Sequence, residues 1–366
     1  MKFTLDKNSI KQLKRLFKTN KENMLLGDLY SDFITNQNLN KQTIQKYQEA
    51  NDKEKEIFLQ MADTLDLDLE DSEMQSFVRR TNLNNIRPLD PIEYLNNPYY
   101  KNIQLKNLFS LNFTFKKQRY LPYECFVYKD TTFNNLDYYL EITHLGYFKQ
   151  TFEYLVLFEK NIPWMSITPN EIETMKEPIS LANGKVLTFG LGLAYYTYMV
   201  LFNNKIEKIR VIEKSKTLID LFTKNLLNQF PNKQKLEVYQ ADQFDLNKVL
   251  PLIKNSDFIF IDTYHTGMDG LNIYLKFKSI EKNYPNIKFY YWIENSILAI
   301  FRRLIIDLME EEFNNYNLDY TKEENEFDHI ANKLHYLLIN KQFSSYEEIF
   351  DFLNINNLKE LAKQIY

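Results

Sequence analysis

One cysteine, Cys125, in 366 residues rules out an internal disulfide framework, and with only four histidines it also rules out a thiolate-rich structural zinc site. Catalysis through a cysteine cluster goes with it, and no metal is expected. No apolar run approaches the roughly 20 residues needed to cross a bilayer. The stretch Met1 to Lys18 alternates charges with isolated apolar side chains, unlike the continuous apolar segment of a secretion signal, so residence in the cytoplasm is the expectation. Neither sign of charge is in excess, with 45 Lys and Arg against 49 Asp and Glu and a net charge of −4. No membrane partner is expected, and a small-molecule substrate is expected ahead of nucleic acid. Assembly into a homo-oligomer is left open. Glycine is scarce, seven in all, so each one carries information.

What the chain does have is a globular composition, 44% apolar and 26% charged. Its length allows one large or two ordinary domains. The abundance of Tyr and Phe, 26 and 28, reads as a bias of the source rather than a binding feature. Residues 8 to 82 show apolar positions at helical spacing (Leu13, Leu16, Phe17; Ile57, Phe58, Met61, Leu65), which predicts an all-helical lead segment. Asp90-Pro91-Ile92-Glu93 carries the signals of a short helix start. From Phe126 to Ile167, aromatic and β-branched runs broken by Asn134-Asn135, Gly146 and Asn161-Ile162-Pro163 predict a meander or antiparallel hairpins. Asn97-Pro98-Tyr99-Tyr100 reads as a turn, and Trp164 and Met165 read as core packing.

Thr168-Pro169-Asn170-Glu171 has the pattern of a capping box with proline at the first helical position, so a helix is expected from Pro169 to about Ala182. Five apolar strands then alternate with helical patterns: Lys185 to Phe189, Ile209 to Ile212, Leu236 to Gln240, Phe258 to Ile261 and Phe289 to Ile293. That alternation predicts an α/β fold, a Rossmann-like doubly wound parallel sheet with helices on both faces. The tail from Glu312 reads as helical without a convincing strand, one helix being capped by Ser344 or Ser345. The expected units are 1–88, 89–163, 164–311 and 312–366.

Gly190-Leu191-Gly192 follows the first strand and precedes a helix, where glycines permit a tight turn and close approach of a ligand to the backbone. Glu213 ends the second strand, where an acid can accept both hydroxyls of a ribose. Asp242, with Gln243 beside it, ends the third strand and Asp262 the fourth. Ligands of open α/β sheets sit at these strand ends. In this order the residues resemble the successive motifs of the class I S-adenosylmethionine-dependent methyltransferases, over about residues 164 to 311. The hairpins ahead of them are similar to those of the spermidine synthase-like branch.

The resemblance implies that S-adenosylmethionine is the cofactor. Gly190 and Gly192 would face its methionine part, Glu213 the ribose, Asp242 and Gln243 the adenine, and Asp262 the sulfonium or the substrate. Thr188 and Ala194 stand where the family has an acid and a third glycine. A closing β-hairpin is not evident after Arg303. Asp262 and His265 are the candidate catalytic bases, and Tyr195 and Tyr196 are candidates to face the sulfonium. Methyl transfer to a small acceptor is the expected activity. The alternatives are aminopropyl transfer from decarboxylated S-adenosylmethionine and a non-catalytic sensing or interaction module. NAD binding ranks below these, because Tyr195 stands where a dinucleotide fold needs a glycine.

Overall fold

The structure, a computed structural model, describes residues 1–104, 113–316 and 323–366. Its centre is a five-stranded parallel sheet of β1 (Gly184–Phe189), β2 (Ile206–Glu213), β3 (Leu236–Gln240), β4 (Phe258–Ile261) and β5 (Lys288–Tyr291). The spatial order is β3-β2-β1-β4-β5, every pair parallel. The strands read as continuous apolar runs because both faces of the sheet are covered. Leu187, Phe189, Ile259 and Ile261 enter one core and Val186, Ile209, Val211, Phe258 and Phe260 enter another.

Six helices cover these faces: α1 (Pro169–Leu181), α2 (Tyr195–Val200), α3 (Lys216–Asn225), α4 (Leu246–Lys254), α5 (Gly267–Glu281) and α6 (Glu294–Phe313). The first three pack on one face through Ile172, Met175, Tyr198, Leu218 and Phe222. The last three pack on the other through Val249, Ile253, Leu271, Leu275, Ile297 and Phe301. The fold is therefore the doubly wound, Rossmann-like α/β arrangement. Strand order reverses between β1 and β4, which opens a crevice at the carboxyl ends of the strands. Among the described residues no hairpin closes the sheet: the chain leaves β5 directly into α6, whose first amides, Asn295 N and Ser296 N, donate to Asp130 at 3.0 and 3.1 Å.

The lead segment is helical, beginning with the 30-residue helix Lys7–Asn36, whose Leu13, Leu16 and Phe17 join the core on the α5–α6 face. Helices Glu326–Leu338, Tyr346–Phe352 and Ile355–Ala362 join the same core, the second capped by Ser345. The tail does contain a strand, contrary to expectation. Gln342–Phe343 pairs in parallel with Lys2–Phe3, and a two-residue pairing between chain ends leaves no periodic trace.

The antiparallel hairpins are present, Thr132–Asn134 with Leu140–Ile142 and Phe152–Glu159 with Ile162–Ile167. Two pairings are additions. Ile86–Pro88 runs parallel to Leu145–Tyr147, and Phe113–Tyr120 completes a three-stranded sheet with the second hairpin. That last strand escapes sequence reading because Phe113 and Phe115 alternate only once before the polar run Lys116–Arg119. In the second hairpin Leu157 faces Met165 but Phe158 faces Pro163, so Trp164 is an extra residue, a bulge that re-aims its neighbours.

Candidate active site

The loop between β1 and α2 forms the floor of the crevice. Gly190 adopts φ +95°, and a Cβ there would lie 2.0 Å from the carbonyl oxygen of Asp262. No other residue fits against the neighbouring strand end. Gly192, at φ +48°, would bring a Cβ within 1.9 Å of the Met165 sulfur. Ala194 takes a left-handed φ of +56° despite its side chain, a conformation that costs roughly 1–2 kcal/mol outside glycine. It stands where the resemblance called for a third glycine, and the backbone keeps the conformation glycine would favour.

The loop is held from several sides. Gly190 N donates to Ile212 O at 2.9 Å, Ala194 N to Leu191 O at 2.6 Å and Leu193 N to the Met165 sulfur at 2.9 Å. The Asn97 segment contributes too. It is a short helix, Pro98–Asn102, rather than a simple turn, and Asn97 caps it. Tyr99 is fully buried and its hydroxyl donates to Leu193 O at 2.6 Å, while Asn97 Nδ2 donates to the Tyr195 hydroxyl at 2.7 Å.

The strand-end acids face this loop. Glu213 accepts from Leu191 N at 3.1 Å and from Ser215 N at 2.7 Å. Burial raises its pKa, and those amides pull the other way. Asp242 accepts from Phe244 N at 2.9 Å and pairs with Lys214 at 3.0 Å. The amide, then the lysine, hold its carboxyl below the usual range. Gln243 Oε1 accepts from the Thr263 hydroxyl at 2.5 Å.

Asp262 is different, because its side chain has no hydrogen-bond partner among the described residues, and burial pushes its pKa up to about 7. Beside it lies Glu171, buried to 6% exposure and raised well above the ordinary carboxylate range, first by burial and then by the charge of Asp262. The capping box expected at α1 is only half made. Glu171 N donates to the Thr168 hydroxyl at 3.4 Å, but the Glu171 carboxylate turns into the crevice instead of back to the cap. Two carboxyls that cannot cheaply ionise together thus share one wall.

The two loop glycines and the strand-end acids open onto one cavity of about 780 Å³. Gly190, Gly192, Glu213, Asp242, Gln243, Asp262 and His265 line it together, as do Glu171, Trp164, Met165, Thr263, Tyr264 and Trp292. His265 is exposed, its ring edge-on to Trp164 at 4.8 Å. Two readings are corrected here. Tyr195 and Tyr196 do not reach the cavity: both are buried, Tyr196 stacked on Phe260 at 4.1 Å. Trp164 is cavity wall rather than core, and Met165 lines the cavity while also packing against the core, because the bulge at Trp164 turns this part of the strand toward the crevice. In sequence Glu171 is the acid of a capping-box pattern, and only its failure to reciprocate the cap shows its place.

No known protein family matches the sequence, and no curated protein is similar to it. Among solved structures, spermidine synthase from Thermotoga maritima is similar at 17% identity and a TM-score of 0.29, over 42% of this chain and 59% of that one. MnmC2 from Aquifex aeolicus is similar at 19% identity and a TM-score of 0.28, over 42% of this chain and 60% of that one. The chain thus spans about three-fifths of the length of each.

Proposed function

We propose that the chain transfers a methyl group from S-adenosylmethionine to a small-molecule acceptor. The observation that carries this reading is the convergence of Glu213, the Gly190–Gly192 loop and the Asp242–Gln243 pair on one cavity at the switch point of the sheet. The residues fit the group. Glu213 keeps acceptor capacity for ribose hydroxyls while its backbone bonds hold it in place, and Asp242 and Gln243 present acceptors and an amide to a purine edge.

The cofactor supplies an already electrophilic methyl on a cationic sulfonium. The protein then has to align the acceptor, exclude water and take up a proton. Asp262, with a pKa near neutrality, and His265 are the groups we assign to the proton. Glu159, Glu171, Glu213, Asp242 and Asp262 line the cavity against Lys214 and His265, and a cation beside them would offset the burial that disfavours ionisation of Glu171 and Asp262, which favours a cationic ligand and an acceptor bearing an amine.

Aminopropyl transfer from decarboxylated S-adenosylmethionine is the second reading. It is favoured by the engagement of two groups that could bind a carboxylate: Lys214 is paired with Asp242, and the Leu193 N–H with Met165.

Calorimetric titration with S-adenosylmethionine and S-adenosylhomocysteine tests the cofactor. Micromolar binding, roughly −8 kcal/mol, that weakens at least tenfold in Glu213→Ala is the expected result. No heat from either ligand would sink the reading.

A further inference from the structure

We propose that Met165 sets the length of the ligand chain that this cavity admits beyond the adenosine, and so selects among sulfur-linked nucleosides. The inference rests on the cofactor reading above, which directs the ligand's amino-acid end toward Gly190 and Gly192.

Met165 stands at that end. The bulge at Trp164 brings consecutive residues of the strand to the cavity wall. The Met165 sulfur then lies against the backbone of Gly192, at a spot where even a Cβ would be 1.9 Å away, and it occupies the N–H of Leu193 at 2.9 Å. That N–H is a loop donor that an incoming carboxylate would need. Three neighbouring donors are taken as well, Gly190 N by Ile212 O, Leu191 N by Glu213 and Ala194 N by Leu191 O. A ligand whose sulfur carries only a methyl group stops short of the thioether. A ligand carrying the full amino-acid chain has to displace it. Methionine is unbranched and has three rotatable bonds, so displacement is feasible, at the expense of affinity.

The test uses the full chain and two neutral-sulfur nucleosides, 5′-methylthioadenosine and S-adenosylhomocysteine, titrated into the wild type, Met165→Ala and Met165→Val. Both substitutions shorten the side chain, and the second guards against a folding defect in the first. Removing the side chain is expected to tighten S-adenosylhomocysteine by about tenfold, ~1.4 kcal/mol, and to leave 5′-methylthioadenosine within about twofold. Equal changes for the two ligands, or no change in their ratio, would overturn the assignment of Met165 while leaving the cofactor reading intact. A wild type that binds neither nucleoside would overturn both.

Discussion

The carboxyl pair Glu171 and Asp262 should contribute a loss of stability as pH rises. In the fold Asp262 titrates at about 7, against 3.8 for the free side chain, and Glu171 is raised in the same direction. Between about pH 4 and pH 7 the pair in the native state should therefore hold protons that it has released in the unfolded chain, and its contribution to the unfolding free energy should fall with pH across that window. At roughly 1.4 kcal/mol per pKa unit, the Asp262 rise amounts to at most ~4 kcal/mol, fully expressed above pH 7 and absent below pH 4.

Asp262→Asn removes the ionisation with little change of shape. We expect the variant to melt with the wild type at pH 4 and several degrees above it at pH 8, since ~1 kcal/mol moves the midpoint by about 2–4 °C in domains of 150–250 residues. Glu171→Gln should act in the same direction. The double variant should gain less than the sum, because part of the Glu171 rise comes from the charge of Asp262. The assay is differential scanning fluorimetry from pH 4 to pH 8. In parallel, the preference for S-adenosylmethionine over S-adenosylhomocysteine, whose sulfur is neutral, should grow with pH in the wild type and flatten in Asp262→Asn. A midpoint difference that is the same at both ends of the pH range, or a variant less stable at pH 8, would refute the reasoning.

The left-handed Ala194 and the Tyr99 hydroxyl on Leu193 O should be coupled. Tyr99→Phe is expected to weaken S-adenosylhomocysteine several-fold in the wild-type background and much less in Ala194→Gly, where the loop conformation is no longer strained. Additive effects in isothermal titration would separate the two features. If His265 takes up the proton, His265→Ala should lower turnover by about 10²-fold with little change in cofactor affinity, and full turnover would remove it from that role.

Much of the sheet was readable because local rules and the final environment agree. Apolar runs between helical patterns mark parallel strands that both faces bury, and Val186, Phe258 and Ile261 could hardly sit elsewhere. The positions of Gly190, Glu213, Asp242 and Asp262 were readable for a related reason. Each sits at the end of its own strand, and a parallel sheet brings all such ends to one edge.

What contacts across the chain decide was hidden. The capping-box pattern at Thr168 points Glu171 back to its own helix, yet the carboxylate lies in the cavity beside Asp262. Tyr195 and Tyr196 look like ligand faces in sequence but fill the space between α2 and its neighbours. Trp164 and Met165 look like core but reach the cavity through a bulge, and a bulge is a property of the pairing between two strands, not of either one. Sequence alone determined the sheet and the edge at which a ligand would lie, because periodicity and strand ends are local. The walls of that site, and the burial that raises Glu171, Glu213 and Asp262, exist only once segments as distant as Tyr99, Met165 and Asp262 meet, and no local pattern encodes those meetings.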